Sequence, residues 1–209
     1  MPTLYTMPGT CSLAPNIAIQ WLGAPVEIKT LAYGDQRKEP YTAINPKGKV
    51  PAVTFEDGDV LTEAAAILSW LGAAYGSESF ARDTALGRKE AEALSYMTSE
   101  VHADFGPHFT PKRFAASPAA QDEVKNAAYE KIAGHYRFMD EVLSQNGDWY
   151  LGRRSFADAY LYVLTRWADR TPKALSEAPT LAAHRKRMEA DEGVKTALRL
   201  QNMEPVDGS

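Results

Sequence analysis

Hydrophobic residues change their spacing about a third of the way along the chain. Up to about residue 75, short apolar runs predict strands at 3–6, 26–31 and 52–55, with a helix at 12–22 between the first two. From residue 84 onward, apolar residues recur at three- and four-residue spacing, which predicts long helices. The pattern therefore predicts an α/β domain over residues 1–76 and an all-α domain over residues 84–203, joined by a polar, glycine-bearing linker.

The first domain should contain a parallel pair of strands and a hairpin. A strand, a helix and a strand within about 30 residues form a βαβ unit, whose strands run parallel. Farther on, Asp57-Gly58 is a hairpin signal, and Val60-Leu61 would form the returning strand. A helix follows, and the predicted order of elements is β-α-β-α-β-β-α.

One stretch joins a turn, a proline and a helix start. Asn45-Pro46-Lys47-Gly48 is typical of a turn, and Pro51 opens the next strand. Val50 is expected to be extended, with its N–H and C=O facing outward if that strand lies at a sheet edge. Glu63 and Ala64 begin a helix, where unpaired N–H groups favour a carboxylate. The stretch predicts either a binding edge for a peptide with free carboxylates or a plain hairpin packed on a helix.

Composition and charge exclude two classes of partner. The chain has 209 residues and a net charge of -4, so no broad basic surface for nucleic acid is expected. No run of about 18 apolar residues occurs, so no membrane span is expected. The single cysteine, Cys11, excludes a disulfide framework within the chain and favours the reducing cytoplasm.

Cys11 is the first candidate for chemistry. It lies where the first helix should begin, beside Ser12, and the positive end of a helix dipole favours a thiolate. It could equally be an inert, buried cysteine. His102 and His108 are six residues apart, which does not match a metal-binding pair on one helical face, so no metal is expected.

Two polar clusters in the helical half have structural explanations. Ser155 and Asp158 precede an apolar run with the spacing of a capping box, so Asp158 is expected to cap a helix rather than to catalyse a reaction. The basic run 184–187 is short and followed by acidic residues, so we expect a solvated helix face.

Five segments, in order along the chain, carry a specific resemblance to a known family. They are Thr10-Cys11-Ser12-Leu13, Ile44-Asn45-Pro46-Lys47-Gly48-Lys49-Val50-Pro51, Leu61-Thr62-Glu63-Ala64, Ser99-Glu100-Val101-His102 and Phe156-Ala157-Asp158-Ala159-Tyr160. Together they resemble the bacterial beta-class glutathione S-transferases, over nearly the whole chain. The resemblance implies a thioredoxin-like N-terminal domain, an all-helical C-terminal domain, a homodimer and a cis peptide bond between Val50 and Pro51.

The resemblance also implies which residues bind glutathione. Cys11 would lie next to the glutathione sulfur and could form a mixed disulfide with it. Val50 and Pro51 would hold the cysteinyl backbone, and Glu63 and Ala64 the γ-glutamyl carboxylate. Further contacts are implied for a segment that, in a dimer, could belong to the partner chain: Ser99, Glu100, Val101 and His102. The expected catalytic residues are Cys11, Ser12 and His102.

A second substrate is expected between the domains, in an aromatic and largely apolar pocket. Its predicted lining is Met7, Pro8, Phe105, His108, Phe109 and Trp167, although these aromatic residues could also be ordinary core.

Three positions depart from the family. Relatives often carry serine or glycine where this chain has Ala64, asparagine where it has Ser95, and lysine where it has Ala103. Glutathione affinity could therefore be lower than usual.

The expected reaction is attack of the glutathione thiolate on an electrophilic small molecule, a detoxification activity with glutathione as co-substrate. Two alternatives remain open at this point. One is a glutathione-dependent thiol–disulfide oxidoreductase that uses Cys11 through a mixed disulfide. The other is a non-catalytic ligand-binding module on the same fold.

Overall fold

The computed structural model describes residues 1–76, 84–172 and 175–206, which form two compact units. The first unit contains residues 1–91 together with 187–209, and the second contains residues 92–186. The end of the chain therefore groups with its beginning, whereas the sequence pattern placed it with the other helices. The predicted linker lies almost wholly outside the described residues.

A four-stranded mixed sheet forms the centre of the first unit. Its elements are β1 (Thr3–Thr6), α1 (Leu13–Leu22), β2 (Glu27–Thr30), α2 (Tyr41–Ile44), β3 (Ala52–Thr54), β4 (Val60–Thr62) and α3 (Ala64–Tyr75). The strand order is β2-β1-β3-β4, with β1 parallel to β2 and antiparallel to β3. The predicted order of elements, the parallel pair and the hairpin between β3 and β4 are confirmed.

The strand that follows Pro51 is not an edge strand, so the condition under which Val50 would face outward at a sheet edge is not met. β3 lies between β1 and β4, because it pairs with both of them. The ladder between β1 and β3 ends at the pair of Tyr5 and Ala52. Val50 therefore lies beyond the ladder, and its backbone is outside the sheet for that reason.

Every regular element described after residue 84 is helical, as predicted. The helices are α4 (Ala85–Tyr96), α5 (His102–Asp104), α6 (Gly106–Phe109), α7 (Pro118–Asn146), α8 (Phe156–Ala168), α9 (Pro179–Ala190) and α10 (Glu192–Leu200). A π-helical segment, Met97–Val101, connects α4 to α5. The apolar spacing predicts one continuous helix there, from Thr84 to His102 or beyond. Within the described ranges, none of the helices combines the length and apolar character needed to cross a bilayer.

α8 is buried along nearly its whole length, and its start is fixed as predicted. The capping box of Ser155 and Asp158 is present, and Asp158 accepts the Ser155 N–H at 2.8 Å. Asp158 also lies 3.1 Å from His184 Nε2, and both side chains are fully buried. Arg185 is buried as well. The expectation of a solvated basic face at 184–187 is therefore wrong, since two of its residues point inward.

α10 belongs to the first unit because it packs against α1. Trp21 Nε1 donates to Asp191 Oδ1 at 2.8 Å, and Asn16 Nδ2 donates to the Ala197 carbonyl at 3.1 Å. Asn16 is fully buried, so this partner on α10 satisfies an amide that has no access to water.

Candidate glutathione site

The loop between β1 and α1 is organised by the hydroxyl of Ser12. Ser12 Oγ lies 2.6 Å from both Thr6 Oγ1 and Thr10 Oγ1, and it accepts the Met7 N–H at 3.0 Å. The residue is fully buried. Because its hydroxyl is already engaged inside the protein, the geometry favours a positioning role for Ser12 over direct contact with a substrate sulfur.

Cys11 and Val50 are brought together from positions 39 residues apart. The Cys11 Sγ lies 3.8 Å from the Val50 carbonyl oxygen, and the thiol is only partly buried. The bond between Val50 and Pro51 is cis, as predicted. No hydrogen bond to the Val50 N–H occurs among the described residues. A thiol and an unpaired backbone N–H thus lie in the same small region.

The loop that carries Val50 is held by two side chains that the sequence analysis missed. Tyr41 Oη donates to the Lys49 carbonyl at 2.6 Å, and Asn45 Nδ2 donates to the same oxygen at 2.7 Å. The Gly48 N–H closes the turn on the Asn45 carbonyl, at a φ of +60° that favours glycine. The residues at 45–48 predicted the turn itself, but nothing in the local sequence showed that the Tyr41 hydroxyl would bind the Lys49 carbonyl.

The start of α3 offers unpaired N–H groups and a cation. The first helical bond runs from the Ile67 N–H to the Glu63 carbonyl at 3.0 Å, so the N–H groups of residues 64–66 precede it. Lys47 Nζ lies 2.9 Å from both Glu63 Oε1 and Thr62 Oγ1. The arrangement suits a carboxylate. Lys47 was missed because a lysine in a turn motif is normally a solvent-exposed residue.

The π-helical segment carries the other residues predicted to contact glutathione. Ser99 and Glu100 are exposed, whereas Val101 is fully buried and offers only its backbone. His102, which follows directly, is half-buried; its Nδ1 lies 2.6 Å from Tyr160 Oη, and its ring packs edge-on against Trp167 at 4.8 Å. Ser95 and Ala103 are exposed on either side of the segment.

A chain of three side chains, Tyr96, His135 and Asp104, holds both ends of the π-helical segment; we call it the clamp. Tyr96 Oη lies 2.6 Å from His135 Nδ1, and His135 Nε2 lies 3.0 Å from Asp104 Oδ2. Burial, followed by the nearby acids Glu100 and Asp104, raises the pKa of Tyr96 to about 12. Tyr96 is therefore a protonated phenol at neutral pH and donates to Nδ1, which leaves the His135 proton on Nε2 for Asp104.

Four of the six residues predicted to line the second-substrate pocket contact one another in the second unit. We call this group the aromatic cluster: Phe105, His108, Phe109 and Trp167. Phe109 stacks on Phe105 at 5.7 Å and meets Trp167 and His108 edge-on at 5.1 and 5.0 Å. Phe105 and Trp167 are buried, whereas Phe109 is 38% exposed. The other two residues predicted to line the pocket, Met7 and Pro8, belong to the first unit.

The histidines of this region contact tyrosines rather than one another. His108 Nδ1 lies 2.9 Å from Tyr129 Oη, as His102 lies against Tyr160. In residues 1–76, 84–172 and 175–206, no group of three or more His, Cys, Asp or Glu side chains is arranged to hold a metal ion.

Comparison with known proteins agrees with the resemblance seen in the motifs. Residues 9–74 match the model of the glutathione S-transferase N-terminal domain, and residues 96–192 match that of the C-terminal domain. Glutathione S-transferase GstA of Escherichia coli O157:H7 is 31% identical over 206 residues, covering 96% of this chain and 98% of that protein.

Solved structures are similar over the whole chain. A glutathione S-transferase from Xylella fastidiosa has a TM-score of 0.90 at 33% identity, covering 98% of this chain and 100% of that one. A bacterial beta-class enzyme from Sphingomonas chungbukensis and a sphingomonad enzyme complexed with glutathione have TM-scores of 0.81 and 0.82, each at 33% identity and covering 97% of this chain and 100% of theirs. With two family models, a curated relative and these structures in agreement, the chain belongs to the glutathione S-transferase family.

Proposed function

We propose that this protein joins the glutathione thiolate to electrophilic carbon atoms of small molecules, as a cytoplasmic homodimer that acts in detoxification. The observation that supports this most directly is the proximity of the Cys11 thiol to the Val50 carbonyl, 3.8 Å away, next to a backbone N–H that has no partner among the described residues. A cysteinyl residue paired with the Val50 backbone would hold its sulfur beside Cys11.

The start of α3 would hold the other end of glutathione. The γ-glutamyl carboxylate would accept hydrogen bonds from the first N–H groups of the helix, with Lys47 as a nearby cation. In a homodimer, Ser99, Glu100 and His102 could contribute from the partner chain. The departures at Ala64, Ser95 and Ala103 stay a prediction of weaker glutathione binding.

The reaction requires an ionised sulfur. Free thiols titrate near pH 8.5, so the site has to favour the thiolate at neutral pH. The N-terminal end of α1, adjacent to Cys11, supplies a positive potential there, and Ser12 keeps the loop in place. The thiolate then attacks the electrophilic carbon, a C–S bond forms, and the leaving group departs with its electron pair.

Replacing Cys11 separates conjugation from disulfide reduction. Because the attacking thiolate belongs to glutathione, we expect Cys11→Ala to keep conjugation of a halo-aromatic acceptor within about tenfold of the unsubstituted enzyme. Reduction of a mixed disulfide should be lost if it occurs at all, because that reaction needs the protein thiol. Loss of both activities would contradict the proposed mechanism.

Glutathione binding is the direct test of the proposal. Calorimetric titration of the protein with glutathione should give saturable binding, and Lys47→Ala should weaken it more than the matched substitution Lys195→Ala on α10, where the lysine pairs with Glu192. No detectable binding at millimolar glutathione would overturn the proposal. Sedimentation at several protein concentrations tests the homodimer.

A further inference from the structure

The chain leaves α10 through a turn that Asn202 makes possible. Asn202 has a φ of +51°, in the left-handed region that asparagine tolerates better than most residues. Its N–H donates to the Arg199 carbonyl at 3.0 Å. The N–H of the next residue, Met203, donates to the Leu198 carbonyl, also at 3.0 Å. These two bonds form a Schellman motif, which ends α10 and fixes the direction in which Met203 leaves the helix.

Met203 contacts the loop between β1 and α1, which belongs to the same compact unit. The Gly9 N–H donates to Met203 Sδ at 3.3 Å, and a thioether sulfur is a weak acceptor. Gly9 has a φ of +74° and lies two residues before Cys11. The base of the loop is held from within, because Ser12 Oγ accepts the Met7 N–H at 3.0 Å. Met203 thus contacts the tip of the loop from outside it.

The segment that carries Met203 is anchored on both sides within the first unit. Before it, the Leu200 carbonyl accepts Thr30 Oγ1 of β2 at 2.8 Å. After it, the Val206 N–H donates to Glu189 Oε1 at 2.7 Å, and Glu189 is fully buried. Met203 is therefore presented to the loop from a segment that the first unit holds in place at two points.

We propose that Met203 is a positioning residue for the glutathione site, acting through its sulfur on the tip of the loop that carries Cys11. The inference rests on the proposed function, since it concerns how that site is held. Met203 takes no part in the bond changes of the transfer. Its contact with Gly9 keeps the Cys11 thiol in its place, 3.8 Å from the Val50 carbonyl oxygen. Loss of the contact frees the loop tip and exposes the thiol.

The test uses Cys11 itself as the probe. It is the single cysteine of the chain, so the loss of free thiol during alkylation by iodoacetamide reports on this loop alone. We expect Met203→Ala to be alkylated about threefold faster than the unsubstituted protein, the effect of losing one modest hydrogen bond. Met203→Gln, whose unbranched side chain again offers an acceptor, should return the rate to within about twofold of the unsubstituted value.

Steady-state kinetics give a second measurement. Because the contact shapes the binding site and not the reacting atoms, Met203→Ala should raise the KM for glutathione about threefold and change kcat by less than about twofold. A fall in kcat with an unchanged KM would contradict a role in holding the binding site.

Leu200→Ala is the matched control. It shortens a side chain of similar size three residues earlier, which is 44% exposed, and it keeps the carbonyl that binds Thr30. Its alkylation rate should equal that of the unsubstituted protein. An unchanged rate in Met203→Ala, an equal change in Leu200→Ala, or a Met203→Gln rate as high as that of Met203→Ala would overturn this inference and leave conjugation intact. Alkylation needs no glutathione, so a failure to bind glutathione would overturn the proposed function, whereas the alkylation rates would still show whether Met203 holds the loop.

Discussion

Glu63 is the residue at which unusual backbone geometry and predicted glutathione binding coincide. Its φ of +70° with ψ of 122° is a conformation that side chains other than glycine rarely adopt. The ion pair with Lys47 contributes little to stability, because 55% of the Lys47 side chain and 72% of the Glu63 side chain are exposed. Backbone outliers of this kind cluster at ligand sites. The strain therefore fits a binding role better than a purely structural one.

Comparing glycine with alanine at position 63 measures this strain. Both substitutions remove the ion pair with Lys47, but only glycine relaxes a positive φ. We expect Glu63→Gly to have a free energy of unfolding about 1 kcal/mol above that of Glu63→Ala, despite the greater flexibility of glycine in the unfolded chain. Urea unfolding of the two variants gives the difference. If alanine is as stable as glycine there, Glu63 stores no strain.

Turns and caps could be predicted at the residue scale because their causes are local. Asn45-Pro46-Lys47-Gly48 closes on itself, and Asp158 caps the start of its own helix by accepting the N–H of Ser155, three residues before it. Ser12 and His184 were harder to interpret. The hydroxyl of Ser12 is enclosed by the loop it organises, and His184 is buried against an aspartate 26 residues away. Burial of a polar side chain depends on tertiary partners that hydrophobic spacing does not reveal.

Apolar spacing predicts one continuous helix where the structure has α4, a π-helical segment and α5. The clamp, which holds this segment, is a tertiary feature that the spacing does not reveal. A π-helical turn changes the helix by a single residue, which barely alters the apolar pattern. Its stability comes from tertiary hydrogen bonds instead: Tyr96 before the segment and Asp104 after it are both held by His135 of α7. π-helical turns occur frequently at functional sites. Here the turn carries the residues predicted to reach glutathione.

Removing the Tyr96 hydroxyl should change how stability depends on pH. Folding raises the pKa of Tyr96 from 10.0 to about 12. Because the folded-state pKa is the higher one, the stability contributed by the protonated phenol is present below about pH 10 and is lost as the pH rises through about 12. Tyr96→Phe should therefore lose less free energy of unfolding than the unsubstituted protein between about pH 10 and pH 12.

Urea unfolding at several alkaline pH values measures this effect, and Tyr33→Phe is its control, since Tyr33 is 87% exposed. At neutral pH, Tyr96→Phe should cost about 1 kcal/mol for the lost bond to His135. If the free energy of unfolding of Tyr96→Phe and Tyr33→Phe depended on pH in the same way, the buried Tyr96 phenol would not be the cause of the alkaline loss of stability.

The start of α8 should be far more sensitive to substitution than the start of α7. Asp158 accepts the N–H groups of Ser155 and Tyr150 and lies against His184, all in buried surroundings. Asp158→Ala leaves these donors without an acceptor and should cost about 3 kcal/mol or more. Ser117→Ala removes an exposed cap from α7 and should cost about 1 kcal/mol. Equal losses, measured by urea unfolding, would contradict this ranking.

At the scale of the whole molecule, motif order predicted the fold class and most of the candidate site. The local sequence and the family resemblance both predict ligand contacts at Val50 and Glu63. The local sequence can do so because it shows a proline turn and a helix start directly. The local sequence did not show how the chain divides into compact units. α10 has the same apolar spacing as the helices before it, and only its partners on α1 assign it to the first unit.

The first unit should therefore need the end of the chain in order to fold. A chain that ends after residue 190 loses α10, whose Val194, Ala197 and Leu198 are buried, and leaves the Asn16 amide without its acceptor. Lost burial of three apolar side chains amounts to about 5 kcal/mol, a large part of the stability of a typical domain. We expect this chain to unfold at much lower urea than one that ends after residue 203, which keeps α10. Leu198→Ala in the full chain, at a cost of about 2–5 kcal/mol, tests the same packing without truncation. Similar urea midpoints for the two truncated chains would mean that the first unit is complete without its C-terminal helix.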